Sequence, residues 1–394
     1  MTAGGNQQTS GLQSEIGTYF AERLVPVAFR GLQIMFRPQE GVFCTTAILS
    51  EDGRVAPTGS SNRYTAMVLI GLAMQERLGR QPAFPLGTAW QRVTAWALSE
   101  ASLGDAGLVL WALSIRQSED AGKVAEAIRR RQDQIGDPRV GCDSMSTGWL
   151  LAGLCQAAAL GLCGNEVRDL ARKACQALLR NFRNETGLFS FGTSVSRKNL
   201  WAARFNSRLG SFASQVYPII GLSLYGMVTR EAEPVQKALR CADTVCRLQG
   251  PHGQWWWIYN THSGEVALRY PVYSVHQDAM GPMALLALSR ACGERRYDRA
   301  ILDSLLWMDR HPEQPDARLI DESQGVILRA VQRDPRRAVG RLGLGTTERL
   351  RLYLTSWLGF PDRRPFWDGY VCDECRPYHL GWILLAAAMN ETGL

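Results

Sequence analysis

YPVYSVHQDAMGPMALLALSRA, running from Tyr270 to Ala291, sets a dense polar and aromatic cluster directly against a helix-length apolar stretch. Five other segments follow the same design: SNRYTAMVLIGLAM from Ser61, GDAGLVLWALS from Gly104, CDSMSTGWLLAGLCQA from Cys142, SFASQVYPIIGLSLYG from Ser211 and CRPYHLGWILLAAAMNE from Cys375. Six such segments in one chain point to an internal repeat. Each is apolar nearly all round, as a helix buried on every side must be. The segments between them, such as AWQRVTAWALSEA, AGKVAEAIRRRQDQI, EVRDLARKACQALLRNF and YDRAILDSLLWMDRH, carry a one-sided apolar stripe instead. Inner and outer helices therefore alternate.

About six of each describe an all-α fold, an (α/α)6 toroid of helical hairpins. A second recurring element is a glycine followed by apolar or aromatic residues: EGVFC at Gly41, TGLFSF at Gly187, HGQWWW at Gly253 and QGVIL at Gly325. Three of the four fall between an outer helix and the next inner one, which predicts a few short β-hairpins at one end of the ring. An open solenoid competes with this reading. Its repeats are near constant in length, whereas here inner helices recur at intervals from about 40 to about 100 residues.

The 394 residues are 46% hydrophobic and 21% charged, ample for a full-size core and unlike a disordered chain. Residues 14–394 read as one toroid domain, with 1–13 (MTAGGNQQTSGLQ) a disordered tail. That start has neither a charged nor an apolar signal region, so the expected compartment is the cytoplasm. The longest apolar stretch, Thr147–Gly164, is short for a membrane span and contains Gln156. Of 44 basic residues only Lys123, Lys173, Lys198 and Lys237 are lysines, and the net charge is +7. The arginines are scattered, with the densest runs at Arg129–Arg131 and Arg333–Arg341, and no basic tract interleaved with aromatics predicts a nucleic-acid partner. An anionic substrate suits the surplus.

If the inner helices run parallel, their amino termini and all six polar clusters converge at one end of a funnel, where free N–H groups suit oxyanions. His276, Gln277 and Asp278 form the densest cluster, fit for proton transfer and substrate binding. The plainer reading makes Asp278 a helix cap. Glu374, Arg376, Tyr378 and His379 form the second: Arg376 would clamp a carboxylate while Glu374, Tyr378 or His379 exchanges protons. Asp143 is a third candidate acid, or a cap; Asp105 reads as a cap, and Arg63 with Tyr64 as substrate-orienting or structural. Trp255, Trp256, Trp257 and Tyr259 follow a glycine turn, and three consecutive tryptophans cannot all face one core. At least one is expected beside ligand, since indole faces stack on sugars and prenyl chains alike. Of ten cysteines only Cys372 and Cys375 have metal spacing; with His379, and Cys142 or Asp143 as a fourth ligand, they would make a zinc site. The principal reading calls for no cofactor.

At YPVYSVHQDAMGPMALLAL and ECRPYHLGWILLAA, and also at RYT near Tyr64 and SMSTGWLLAGL, the chain resembles proteins encoded with bacterial polysaccharide-biosynthesis genes, members of the six-hairpin glycosidase-like toroid superfamily. The resemblance implies the toroid and a glycan context. It does not transfer a reaction. A carbohydrate-active enzyme is expected, acting on a bacterial oligo- or polysaccharide. A glycoside hydrolase would use two carboxylates, Asp278 and Glu374, with Asp143 in reserve. A polysaccharide lyase or uronyl epimerase would use His276, Tyr378 or His379 as acid or base, with Arg376 on the sugar carboxylate. Two alternatives stay open. One is a terpene cyclase or prenyltransferase-like isoprenoid enzyme, whose zinc-ligand helix RPYHLGWILLAA faintly resembles, although DxDD and DDxxD motifs are lacking. The other is a non-catalytic glycan-binding scaffold.

Overall fold

The computed structural model describes residues 3–50, 52–137, 140, 143–162, 164–192, 207–333 and 369–392. Six inner helices pack side by side into a closed ring. They are α3 (Asn62–Arg77), α5 (Leu103–Ile115), α7 (Ser144–Ala159), α9 (Ala213–Thr229), α11 (Gly281–Cys292) and α13 (Pro377–Thr392). Each packs on the next, and α13 packs back on α3. That closure excludes the solenoid. Around them stand α1 (Ala3–Thr18) with α2 (Val25–Met35), then α4 (Gly87–Ser99), α6 (Asp120–Arg129), α8 (Gly164–Leu179), α10 (Ala232–Arg247) and α12 (Asp298–Arg310). Inner helices are buried on every face: all of Gly104–Ile115 in α5, for example, is shielded from water. Outer helices bury only one stripe, as in α10, where Pro234, Ala238, Cys241, Ala242, Thr244 and Val245 face inward. All six polar clusters read in the sequence lie at inner-helix starts.

The expected tail is a helix from Ala3 onward, continuous with the first outer helix through a π-turn at Tyr19–Leu24. Helical hydrogen bonding, carried upstream from the buried positions Ile16 and Phe20, overrides the polar composition. Helices of the ring approach closely where glycines meet. A Cβ at Gly71 of α3 would lie 2.0 Å from the Gly381 carbonyl of α13, so this crossing admits no side chain.

The glycine elements form short antiparallel hairpins: Phe36–Arg37 with Val42–Phe43, Phe182–Arg183 with Leu188–Phe189, and Ile320–Asp321 with Val326–Ile327. Gly325 has φ +67°, and a Cβ there would lie 2.5 Å from the Gly31 amide of α2. The last hairpin thereby seats on the first outer helix. Three three-stranded sheets join them. They comprise Leu209–Ser211, Ile258–Asn260 and Glu265–Leu268; Val272–Tyr273, Ala330–Arg333 and Gly369–Cys372; and Glu374–Cys375, Thr46–Leu49 and Val55–Thr58. Each sheet contains a strand that runs directly into an inner-helix start. β-Structure thus collects around one end of the ring.

Candidate active site at the mouth of the ring

Side chains from successive inner-helix starts touch one another around that end. Arg63, in the first turn of α3, grips Asp105 of α5 in bidentate fashion, Nε to Oδ1 at 2.6 Å and Nη2 to Oδ2 at 2.9 Å. Ser102 caps α5 and also donates to Asp105 Oδ2 at 2.7 Å. The Arg63 guanidinium lies 5.6 Å from the Trp149 ring centroid, and Asp143 acts on its charge as well. Asp143 caps α7 by accepting from the Ser146 amide at 2.7 Å. Its capping role is therefore real, and it leaves the second carboxylate oxygen uncommitted to that bond. Arg63 keeps 45% of its side chain exposed and Asp105 only 5%, so the pair reaches solvent through its arginine.

Beside this pair, Arg376 donates Nη1 to Tyr64 Oη at 2.9 Å and Nη2 to Glu374 Oε2 at 3.0 Å. Arg329 donates to the same Glu374 oxygen at 2.6 Å and lies 5.4 Å from the Tyr273 ring centroid. Two guanidiniums share one carboxylate, which leaves a surplus positive charge on this side. The Arg329 and Arg376 Nε–H groups are buried without a hydrogen-bond partner among the described residues. The Tyr64 and Tyr378 rings meet at 4.7 Å between the two sides. Burial, then the neighbouring Tyr64, pushes the Tyr378 hydroxyl pKa upward. Burial also acts to raise the Glu374 pKa, but the Arg376 hydrogen bond and the charges of Arg329 and Arg376 outweigh it and hold it below the usual range.

Beneath the mouth, aromatic side chains cross the axis. Trp111 of α5 lies 6.0 Å from Trp382 of α13, Tyr217 of α9 lies 6.1 Å from Trp382, and Trp149 of α7 lies 5.3 Å from Tyr217. Helices α5 and α13 are not neighbours in the ring, nor are α9 and α13, so these contacts span the bore. The funnel has an aromatic floor. Its fold is an (α/α)6 toroid.

Comparison with known proteins agrees. No family model and no curated protein sequence matches the chain. Among solved structures it is similar to an unsaturated glucuronyl hydrolase specific for heparin, with 15% identity, TM-score 0.60 and coverage of 96% of this chain and 97% of that one. It is similar to a glycosyl hydrolase family 88 protein from Bacteroides vulgatus, with 9% identity, TM-score 0.58 and coverage of 94% and 99%. A third is the unsaturated glucuronyl hydrolase of Bacillus sp. GL1, responsible for the degradation of glycosaminoglycan, with 14% identity, TM-score 0.57 and coverage of 94% and 96%. At these identities the likeness is one of fold.

Several expected site residues stand elsewhere than the sequence suggested. Asp278 and His379 do meet, Oδ1 to Nε2 at 2.6 Å, but the side chains are 0% and 3% exposed, inside the helix layer. Burial pushes the Asp278 carboxyl upward against the pull of His379. His276 is packed against Phe212 and Tyr273, at 4.7 and 5.1 Å between ring centroids, and burial followed by the charge of His379 lowers its pKa to about 3. Its Nδ1 has no partner among the described residues.

Gln277 is fully spent on backbone, bonding Trp255 N at 2.9 Å and the Trp255 and Tyr273 carbonyls at 3.2 Å, so it is not free for substrate. Trp255, Trp256 and Tyr259 are buried core residues rather than a stacking platform. Trp257 alone of the three tryptophans is partly exposed, edge-on to Tyr273 at 5.9 Å. Glu374 is locked between two arginines, as Asp105 is held by Arg63 and Ser102. The zinc site is not assembled: His379 gives Nε2 to Asp278, burial raises the Cys375 thiol to about 12, and no three His, Cys, Asp or Glu side chains are grouped for a metal among the described residues. Cys142 and the arginines from 334 to 341 lie outside the described residues.

Asp105, read as a cap, is instead gripped by the arginine at the mouth, and Arg329 and Tyr273 were not singled out at all. Arg329 lies four residues beyond Gly325. The repeated glycine hairpin is the nearest feature that the sequence offered. No described helix is long and apolar enough to cross a membrane.

Proposed function

We propose that the protein is a carbohydrate-active hydrolase that works in the cytoplasm on an acidic oligosaccharide derived from a bacterial polysaccharide, and that it acts at a chain end. The observation that carries this reading is the division of the mouth into two chemically different sides. On one side Arg329 and Arg376 share Glu374, leaving positive charge and buried N–H groups for an anionic sugar substituent. On the other, Asp105 and Asp143 gather about Arg63, supplying carboxylates to move a proton to the leaving oxygen and activate water. Tyr64, Tyr378 and Trp257 offer aromatic surface to a bound sugar. The aromatic floor supports action on chain ends, since a polymer cannot thread the bore.

The pair first expected, Asp278 with Glu374, is replaced in this role because Asp278 is walled off; Glu374 and Asp105 are both ion-paired, but Asp105 stands with a second carboxylate, Asp143, about the same arginine, as a two-carboxylate hydrolase requires. The hydrolytic branch is in line with the glucuronyl hydrolases that share the fold. The isoprenoid alternative loses its chemical support with His379, whose ligating nitrogen is taken by Asp278.

A panel of acidic bacterial oligosaccharides, unsaturated glucuronyl disaccharides included, should yield cleavage products detectable by mass spectrometry. Asp105→Asn and Asp143→Asn should abolish turnover while calorimetric binding persists. Binding without turnover in the unaltered protein would make it a glycan-binding scaffold instead.

A further inference from the structure

The two π-turns share a cause. In the first, the Val25 amide bonds the Phe20 carbonyl; in the second, at His276–Met280, the Gly281 amide bonds the His276 carbonyl. Each link spans five residues instead of four, and each is followed at once by a proline, Pro26 or Pro282. Proline has no N–H for the carbonyl four residues back and its ring crowds that carbonyl. For Pro282 that residue is Asp278. The helix widens by one residue there, and side chains on either side are rotated relative to a continuous α-helix.

That rotation decides where Asp278 points. It meets His379 at 2.6 Å, within electrostatic reach of Tyr19 on the first outer helix and of Cys375, between the two helix layers. Ser304 of α12 steadies the turn by donating to the Gln277 carbonyl at 2.8 Å. His379 belongs to the first turn of α13, where its amide bonds the Arg376 carbonyl at 3.1 Å. The same turn presents Arg376 to Tyr64 and Glu374, and Tyr378 to Tyr64.

We infer that Asp278 and His379 are positioning residues: the proline-generated π-turn aims Asp278 at His379, and this buried pair holds the first turn of α13 so that Arg376 and Tyr378 stand at the mouth. The assignment rests on the mouth being the functional site, as proposed above, but its test needs no substrate. Phenylglyoxal modification of the folded protein, read by peptide mass spectrometry, gives a rate for each arginine. Asp278→Ala should speed modification of Arg376 about tenfold, the order expected when a charge-assisted hydrogen bond is removed. Arg63, held by Asp105, and Arg80, held by Glu391 at the far end of α13, should keep their rates.

Asp278→Asn keeps both an acceptor and a donor opposite His379 Nε2 and should restore the slow rate. Pro282→Ala leaves both members of the pair intact and returns the missing donor; it should mimic Asp278→Ala, and it serves where that variant does not fold. An unchanged Arg376 rate in Pro282→Ala and Asp278→Ala would overturn the inference. So would an equal acceleration of all three arginines, which would mean general loosening. Failure to find any glycan turnover would leave these rates, and the inference, untouched.

Discussion

Asp105 with Arg63 and Asp278 with His379 are both side-chain pairs built across inner-helix starts, yet one reaches solvent through its arginine and the other is sealed on both members. The difference is local. Ser102 caps α5 and leaves Asp105 in its first turn, facing the mouth, whereas the π-turn before Pro282 rotates Asp278 into the wall. A charge at the rim can be used on a ligand. A charge in the wall costs desolvation that its partner must offset, so it acts on its own protein.

The sharpest way to break this comparison is to exchange the expected phenotypes. Asp105→Asn, which keeps an acceptor for Arg63 and Ser102, should lower turnover by about 10²–10⁴-fold, the range for a lost acid or base, with the protein still folded. Asp278→Ala should cost about 3–5 kcal/mol in denaturant unfolding, as for other buried pairs stripped of one member. If Asp278→Ala were stable and inactive while Asp105→Asn unfolded, the two roles would be reversed.

Asp143→Ala should lose about 1 kcal/mol through the cap, and Asp143→Ser should regain it. Both should be inactive if the carboxylate has a second task at the mouth. The finest distinction is a pH profile of stability. In the unfolded chain His276 takes a proton near 6.5, but in the folded protein it stays neutral down to about 3. As the pH falls through that interval the unfolded state binds a proton the folded state does not, and stability declines. His276→Phe, placed between Phe212 and Tyr273, should flatten that slope in urea titrations between pH 6.5 and 4. An unaltered slope would assign the acid sensitivity to other groups.

The fold was legible because burial of a whole helix and of one stripe leave different marks, and both repeat. Ser61 as the cap of α3 and Asp143 as the cap of α7 stand where the polar clusters put them. Gly41, Gly187 and Gly325 turn hairpins as their composition requires. The site was legible only as a neighbourhood. His276, Gln277 and Asp278 are three adjacent polar residues, and adjacency concealed that one fastens backbone, one packs among aromatics and one faces a neighbouring helix. Arg329 was hidden for the opposite reason: it sits in the two-residue link between strands Val326–Ile327 and Ala330–Arg333, and nothing in QGVILRA marks which way that link turns. Trp255 and Trp256 misled because an indole count says nothing of depth, and these two fill the core.

Helix α13 has a consequence for how the molecule comes into being. It closes the ring against α3, carries Trp382 across the bore and brings Arg376 and Tyr378 to the rim. The hairpin at Gly325, upstream of it, already reaches back to the first outer helix. During synthesis, then, the ring has no closed partial form: until residues 377–392 emerge the inner helices are an open arc that lacks Trp382 across its bore. A chain cut before α13 leaves the ring open between α11 and α3.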